Sequence, residues 1–383
     1  MFLLRLVLRN AFRHRLRTLL TIAGLAIAVL AYGLLQTVVD AWYAGAAAAS
    51  NARLVTRNAI SLAFFLPVSY EARIRAVEGV TRVSRSNWFG GIYQEPKNFF
   101  PQFAISPSYL DLYPEFVLPA EERAAWQRDR KGALVGRQLA DQFGFKVGDA
   151  LPIRGTIYPG NWEFVVRGIF DGADSGTLTR QMMFHWDYLN ETLRKRAPRR
   201  ADYVGVFVVG IDQPDNAAAI STQIDAVFRN SLAETLTETE QAFQLGFVAM
   251  SDQIIAAIRV VSYVVIFIIL AVMANTMAMS ARERTSEYAT LKALGFGPGF
   301  LAALIFGESA AIATIGGAIG IALGAPVAVF FKQAAGIFPV FEISSDTVAL
   351  QAACAAVVAV AAAVLPAVQA ARVRIVDGLR AIA

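Results

Sequence analysis

The chain has 383 residues, of which 56% are hydrophobic and 17% charged, with one cysteine, two histidines and a formal net charge of +5. Soluble domains average roughly 45–50% apolar and about 25% charged, so the composition excludes an ordinary soluble protein, and a single cysteine excludes a disulfide framework. The apolar surplus is gathered in blocks, and those blocks set the class.

The leader, residues 1–17, continues after Met1 as FLLRLVLRNAFRHRLR and places Arg5, Arg9 and Arg13 on one helical face, with Leu4, Leu8 and Phe12 on a neighbouring one. This predicts an amphipathic helix lying at the cytoplasmic interface. Residues 18–39 carry no charge over 22 positions, enough for the ~20 residues a spanning helix needs. A cleaved signal sequence is the alternative that the charged leader and the Ala-rich segment after Trp42 allow; signal cores run about 7–15 residues, so a retained first transmembrane helix is expected. The Ala-rich stretch to Asn51 lacks proline and extends that helix as a stalk.

Residues 40–250 form the expected extracytoplasmic domain. Strand-like patterns occupy 54–66, 80–84 and 203–210, and helical ones 70–77 and the segment from Gln213-Pro214-Asp215 to Arg229. These two strand–helix units read as one α+β, porter-like lobe built from distant chain segments. Between them, residues 105–195 are rich in Gly, Pro and aromatics, with strands at 151–154, 162–170 and 178–184, and read as an inserted, mainly β lobe. Residues 231–258 carry helical periodicity that feeds into the second membrane helix as a second stalk. With no cysteine here, the domain must be stable through its own core, and ~200 residues suffice for one.

Three further spans follow: 251–281, 300–331 with Glu308 as its one charge, and 347–371. They are separated by a cytoplasmic link at 282–299 and a short outer loop at 332–346, and a tail at 372–383 ends the chain. The predicted fold class is therefore membrane α-helical, with four transmembrane helices and a large α+β domain inserted between the first two. Cations near span ends mark the cytoplasmic side. They cluster in the leader, in the link (Arg282, Arg284, Lys292) and in the tail (Arg372, Arg374, Arg380), whereas the short loop offers Lys332 against Glu342 and Asp346. Residues 40–250 hold 22 Lys+Arg and 23 Asp+Glu, so the net positive charge reports membrane topology and attraction to anionic lipid rather than nucleic acid.

Reactive groups are sparse. His14 and His185 fall on opposite sides of the membrane, which leaves no transition-metal set. No G-x-S-x-G is present, and the carboxylates of the outer domain are scattered. No G-x-x-x-x-G-K-[ST] loop occurs, so the chain is expected to be non-catalytic, with any ATP bound by another polypeptide. The link ARERTSEYATLKALGFGPG is the most informative segment. It predicts a short helix, apolar on one side, closed by a Gly/Pro stop that returns the chain to the bilayer. Such a helix suits docking into a groove on a cytoplasmic partner; a generic charged loop is the plainer alternative.

Smaller features remain. Glu308 is an intramembrane carboxylate, costly in lipid and often functional, or else held structurally by a nearby Ser or Thr. Gly316, Gly320 and Gly324 repeat every four residues and permit close helix contact, within one subunit or at a dimer seam. Pro366 is expected to kink or end the fourth helix. Arg194-Lys195-Arg196 with Arg199 and Arg200 reads as a solvated loop or a site for an acidic partner.

The run Asn275-Thr276-Met277, then Arg282-Glu283-Arg284, Glu287 and Leu291-Lys292-Ala293-Leu294-Gly295, followed by Glu308 and Gly316, resembles the signature of the FtsX/MacB/LolC-type permeases, the membrane subunits of type VII ABC transporters. Pro366, Ala370-Ala371-Arg372 and Leu379-Arg380 resemble that family's closing pattern, and LVGRQLADQFGFKVGD at 134–149 is similar to a segment of MacB- and LolC-type outer domains. The resemblance spans the whole chain in order. It implies a coupling helix at about 283–295 seated on a separate ABC ATPase present in two copies, with ATP and Mg held by that partner and no cofactor on this chain. It further implies a second permease copy (a homodimer or a heterodimer), membrane lipids as surroundings, an optional periplasmic adaptor and residence in the inner membrane with both termini cytoplasmic. The implied role is export or extraction of an amphiphilic cargo by mechanotransmission. An FtsX-like regulator of an envelope hydrolase that moves no cargo is the alternative.

Overall fold

A computed structural model describes residues 2–174, 176–335 and 341–375, with side chains described except at residues 2–5, 8, 47–48 and 332–335. The expectations for Arg5, Lys332, Leu379 and Arg380 therefore lie outside the described residues. Two compact units are present: Met1–Trp42 with Ser251–Ala383, and Tyr43–Met250.

The chain opens with α1 (Phe2–Ala11) and α2 (Arg15–Ala48). The second unit then runs β1 (Arg53–Asn58), β2 (Leu66–Pro67), α3 (Tyr70–Arg75), β3 (Val80–Trp88), β4 (Gln102–Ile105), α4 (Tyr109–Leu112), β5 (Phe116–Val117) and α5 (Ala120–Arg128). It continues with β6 (Gly132–Gly136), α6 (Arg137–Phe143), β7 (Ala150–Gly155), β8 (Gly160–Gly172), β9 (Met182–His185) and α7 (Trp186–Arg196). The last elements of this unit are β10 (Tyr203–Val204), β11 (Val206–Ile211), α8 (Ala217–Val227), β12 (Thr235–Thr239) and α9 (Glu240–Ala249). The chain closes with α10 (Asp252–Glu283), α11 (Thr285–Ala293), α12 (Pro298–Ala335) and α13 (Ser345–Arg372).

Among the described residues, α2, α10, α12 and α13 are the four helices long and apolar enough to cross a membrane. Their shared core brings Leu25, Met273, Leu301, Ile305, Ala362 and Ala363 together. Small residues set the contacts. A Cβ on Gly316 would lie 3.0 Å from the Ile22 carbonyl of α2, and one on Gly320 would lie 2.6 Å from that of Ala26. These two glycines thus let α12 and α2 of the same chain meet backbone to backbone. Gly324 faces Ile343 instead, at 2.6 Å. Helix α13 runs through Pro366 to Arg372, which corrects the expectation that this proline could end it. In lipid a helix keeps its remaining hydrogen bonds because water offers none, and neighbouring helices support the gap.

In the second unit a sheet of order β12-β1-β11-β3-β4-β9-β6-β8-β5, with β7 on β8, carries nearly all the strands. The pairs β4–β9 and β6–β8 are parallel. The porter-like and inserted lobes therefore share one sheet, joined where β3 pairs with β4. The inserted part is also mixed rather than mainly β, since α4–α7 all fall within it. Strand β8 alternates from Trp162 to Val166, sending Trp162, Phe164 and Val166 into the main core, where Phe89 meets Trp162 and Phe184 edge-on, each at 5.2 Å, and a bulge beyond Val166 turns Phe170 to the opposite face. The other face is closed by Ile105, Trp126, Leu134 and Phe170. His185 stacks on Trp126 at 4.0 Å and its Nε2 lies 2.7 Å from the Trp126 carbonyl; burial pushes its pKa below the ordinary value.

Residues 231–258 are not one helix. Thr235–Thr239 is strand β12, paired with β1, and helix begins only at Glu240. The sequence TLTET is β-branched at alternate positions, and its partner lies far away in sequence, so the pairing overrode the helical pattern. A buried ionic joint ties the two ends of this unit. Arg53 at the start of β1 donates from Nε to Glu240 at 2.7 Å, from Nη2 to Glu115 at 2.6 Å and from Nη1 to the Leu112 carbonyl at 2.9 Å. The Tyr113 hydroxyl donates to the second Glu240 oxygen at 2.8 Å, and the Arg53 guanidinium lies 4.1 Å over the Tyr113 ring.

Candidate functional site

The site is built at the turn between α10 and α11, within the first unit. Helix α10 stops at Glu283, and Arg284, with φ −106° and ψ 16°, turns the chain into α11. The turn buries Arg284 while leaving Arg282 and Glu283 exposed. Arg284 Nη1 donates to Glu308 of α12 at 2.6 Å, and its Nε donates to Glu287 of α11 at 2.9 Å. Glu308 thus finds its partner in an arginine rather than in a neighbouring hydroxyl. Ser309 beside it donates to the Ala359 carbonyl of α13 at 2.6 Å.

A second set of charges surrounds this buried pair. Arg17 of α2 grips Glu283 with both terminal nitrogens, at 3.1 and 2.7 Å, and His14 Nε2 lies 3.4 Å from the same carboxylate. Arg13 pairs with Glu287. Partial burial works against the Glu287 carboxylate, but hydrogen bonds from Arg13 and Arg284 outweigh it and hold its pKa below the usual range. Burial likewise opposes the Arg284 charge, and Glu308 overcomes it, so this guanidinium stays protonated. Tyr288, buried beside Arg284, has its phenol pushed up to about 12 by that burial.

On the far side of α11, Lys292 Nζ donates to the Ala371 and Val373 carbonyls at 2.7 and 2.8 Å. These groups end α13, where a cation satisfies orphan carbonyls and the helix dipole together. Helix α11 closes in a Schellman turn. The Phe296 N–H reaches the Leu291 carbonyl at 3.1 Å and the Gly295 N–H reaches that of Lys292 at 3.0 Å. Gly295 takes φ 92° to make this turn, a conformation that glycine adopts without a Cβ penalty.

The two faces of α11 therefore differ. Tyr288 and Ala289 are buried, and Leu291 packs against the helical core. Ala293 to Gly299 is exposed throughout, with Leu294 at 72% and Phe296 at 43%. An apolar tip is thus held out by a short helix pinned to the α1–α2 turn through Arg13, to α12 through Arg284 and to α13 through Lys292, while Arg17 of α2 holds Glu283 at the end of α10.

Of the residues singled out in the sequence, the structure gathers Glu283, Arg284, Glu287, Lys292 and Glu308 into this network, and it sets Ala293, Leu294 and Gly295 on the exposed tip. Gly316, Gly320 and Gly324 lie apart, in helix packing. Sequence reading missed Arg13, His14, Arg17 and Phe296. The sequence reads the leader cations as one face of an interfacial amphipathic helix and as markers of the cytoplasmic side, although Arg13 and Arg17 share the four-residue spacing of Glu283 and Glu287. Among the described residues no group of acidic, histidine and cysteine side chains is arranged to hold a metal ion.

The family described as MacB-like periplasmic core domain matches residues 18–227, and the family described as FtsX-like permease C-terminal matches residues 259–375. No curated protein matched the chain. Among solved structures it is similar to the extracellular domain of the noncanonic ABC-type transporter YknZ from Gram-positive bacteria (12% identity, 49% of this chain, 98% of that one, TM-score 0.35). It is also similar to the periplasmic region of MacB from Actinobacillus actinomycetemcomitans (8% identity, 51% of this chain, 92% of that one, TM-score 0.35). A third is a domain of a putative permease protein from Porphyromonas gingivalis (16% identity, 49% of this chain, 88% of that one, TM-score 0.33). Since the periplasmic-core match alone covers more than half of the 383 residues and the permease match follows it in order, the chain belongs to the FtsX/MacB-type ABC permeases.

Proposed function

We propose that this permease couples ATP hydrolysis on a separate ABC ATPase to movement of its extracytoplasmic domain, for export or extraction of an amphiphilic cargo. The leader, the 282–299 link and the tail face the cytoplasm, in keeping with their cations. The observation that carries the reading is the mounting of α11, which has an exposed Leu294–Phe296 tip on one side and charged pins to the α1–α2 turn, α12 and α13 on the other, with Arg17 of α2 holding the adjoining end of α10. The tip seats in the ATPase. A displacement of α11 then moves the helices pinned to it rather than dissipating in a loose loop. Helix α2 carries that motion outward as one uninterrupted helix from Arg15 to Ala48. A second permease copy packs on α10, whose own chain leaves most of its apolar stretch uncovered.

The substitutions Leu294→Asp and Phe296→Asp together test this reading. Both side chains are exposed, so the fold should survive. ATPase recovered with the detergent-solubilised permease should fall at least about tenfold, since charged groups replace the apolar anchors of an interface. Undiminished recovery would refute the docking assignment.

A further inference from the structure

In the second unit, the loop between β1 and β2 exposes three apolar side chains at alternate positions: Ile60 at 80%, Leu62 at 37% and Phe64 at 54%. The loop is ordered by its own polar residues. The Ile60 N–H donates to the Asn58 side chain at 3.0 Å and the Ala63 N–H to the Ser61 hydroxyl at 3.1 Å. These apolar groups are therefore held out rather than left loose. The loop before β12 joins them: the Ala59 N–H reaches the Glu234 carbonyl at 2.9 Å, and Leu232 close by is fully exposed. Unit two enters at β1 and leaves after β12, and these loops sit at the opposite end of those two strands.

The same end carries a basic cluster. Strand β2 pairs with β10, which follows directly on the 194–200 segment. Phe65 stacks on Tyr158 at 6.5 Å, and the Arg200 guanidinium lies 5.2 Å over that same Tyr158 ring. Arg196 lies 5.8 Å over Trp162. Arg194 is ion-paired to Asp202 at 2.6 Å, whereas Lys195, Arg196, Arg199 and Arg200 are exposed and, among the described residues, have no carboxylate within salt-bridge distance. Two of these cations are thus braced on aromatic faces, beside a protruding apolar loop.

We propose that this end of the extracytoplasmic domain docks on an anionic lipid surface. The apolar side chains enter the acyl boundary while the four unpaired cations meet headgroup phosphates. Protrusion decides between a bilayer and a single bound amphiphile: side chains that stand out singly at 37–80% exposure insert into a surface, whereas one molecule would need a concave wall. Charge complementarity specifies an anionic surface, since each Lys or Arg near such a surface adds to binding and a neutral one offers these cations nothing. The proposal is independent of the ATPase reading, because it requires no nucleotide and no partner chain.

The test uses the full chain in phosphatidylcholine nanodiscs, mixed with larger phosphatidylcholine vesicles that either contain or lack phosphatidylglycerol, and scored by flotation. The nanodisc-held protein should float with the phosphatidylglycerol vesicles only, and less so as salt rises. Arg199→Gln with Arg200→Gln should weaken that binding about thirtyfold. Phe64→Ser should weaken it as well, in a protein whose tryptophan fluorescence matches that of the parent. Equal flotation with neutral vesicles would overturn the proposal, and so would variants that float like the parent. Flotation with neither vesicle would overturn it too.

Discussion

Arg284→Ala should destabilise the helical unit by about 3–5 kcal/mol, because it leaves Glu308 as an unpaired charge in a buried site. Glu308 is 3% exposed and lies within α12, where water cannot reach it to compensate. The same change frees Glu287 from one of its two arginines. The pair Arg284→Met with Glu308→Leu should restore most of the loss, since well-packed apolar residues often replace a buried ion pair at little cost. Cys354 of α13 is the sole cysteine, so a thiol-reactive dye reports melting of this unit directly. A melting curve of Arg284→Ala that overlays the parent's would mean that the ion pair is dispensable. A double variant as unstable as the single one would point to packing rather than charge.

Arg53→Ala should have a comparable effect on the extracytoplasmic unit, again about 3–5 kcal/mol. Arg53 is 7% exposed and Glu240 is 5% exposed, so removing the guanidinium strands a buried carboxylate held only by Tyr113 and the Ser50 amide. Arg53→Lys should fail nearly as badly. A single ammonium cannot reproduce the fork that reaches Glu240, Glu115 and the Leu112 carbonyl at once. Because Arg53 opens β1 and Glu240 follows β12, loss of the pair should loosen the place where the chain enters and leaves this unit. Tryptophan fluorescence during denaturant unfolding measures the effect, since Trp126, Trp162 and Trp186 are all buried in this unit. An unchanged midpoint for Arg53→Ala would remove the joint from the account.

Much of this architecture is legible in the sequence. The spanning helices follow from uncharged blocks of sufficient length, and β8 follows from strict alternation around Trp162 and Phe164. What stayed hidden required partners distant in sequence. Arg17 and Glu283 are 266 positions apart, so their contact cannot be read locally. Glu308 was visible as an anomaly, but its partner Arg284 lies in a turn that forms only when α10 stops and α11 begins. Strand β12 was lost for a related reason. Its polar TLTET segment gains strand character from pairing with β1, which no window around residue 237 contains. The short helices α5, α6 and α7 were absorbed into a lobe read as mainly β, because Gly, Pro and aromatic residues dominate its composition. Phe296 sits in the Gly/Pro stop, whose breakers mark a turn without showing which side chain the turn displays.

The central claim is that the α11 tip meets an ATP-binding subunit. Its most direct test is a photo-crosslinking amino acid placed in turn at positions 294 and 291 of the permease in native membranes. Position 294 is exposed and position 291 packs against the helical core, so crosslinking to an ABC ATPase is expected from the first and not from the second. Equal products from both positions, or an adduct from position 294 that contains no ATP-binding subunit, would contradict the account.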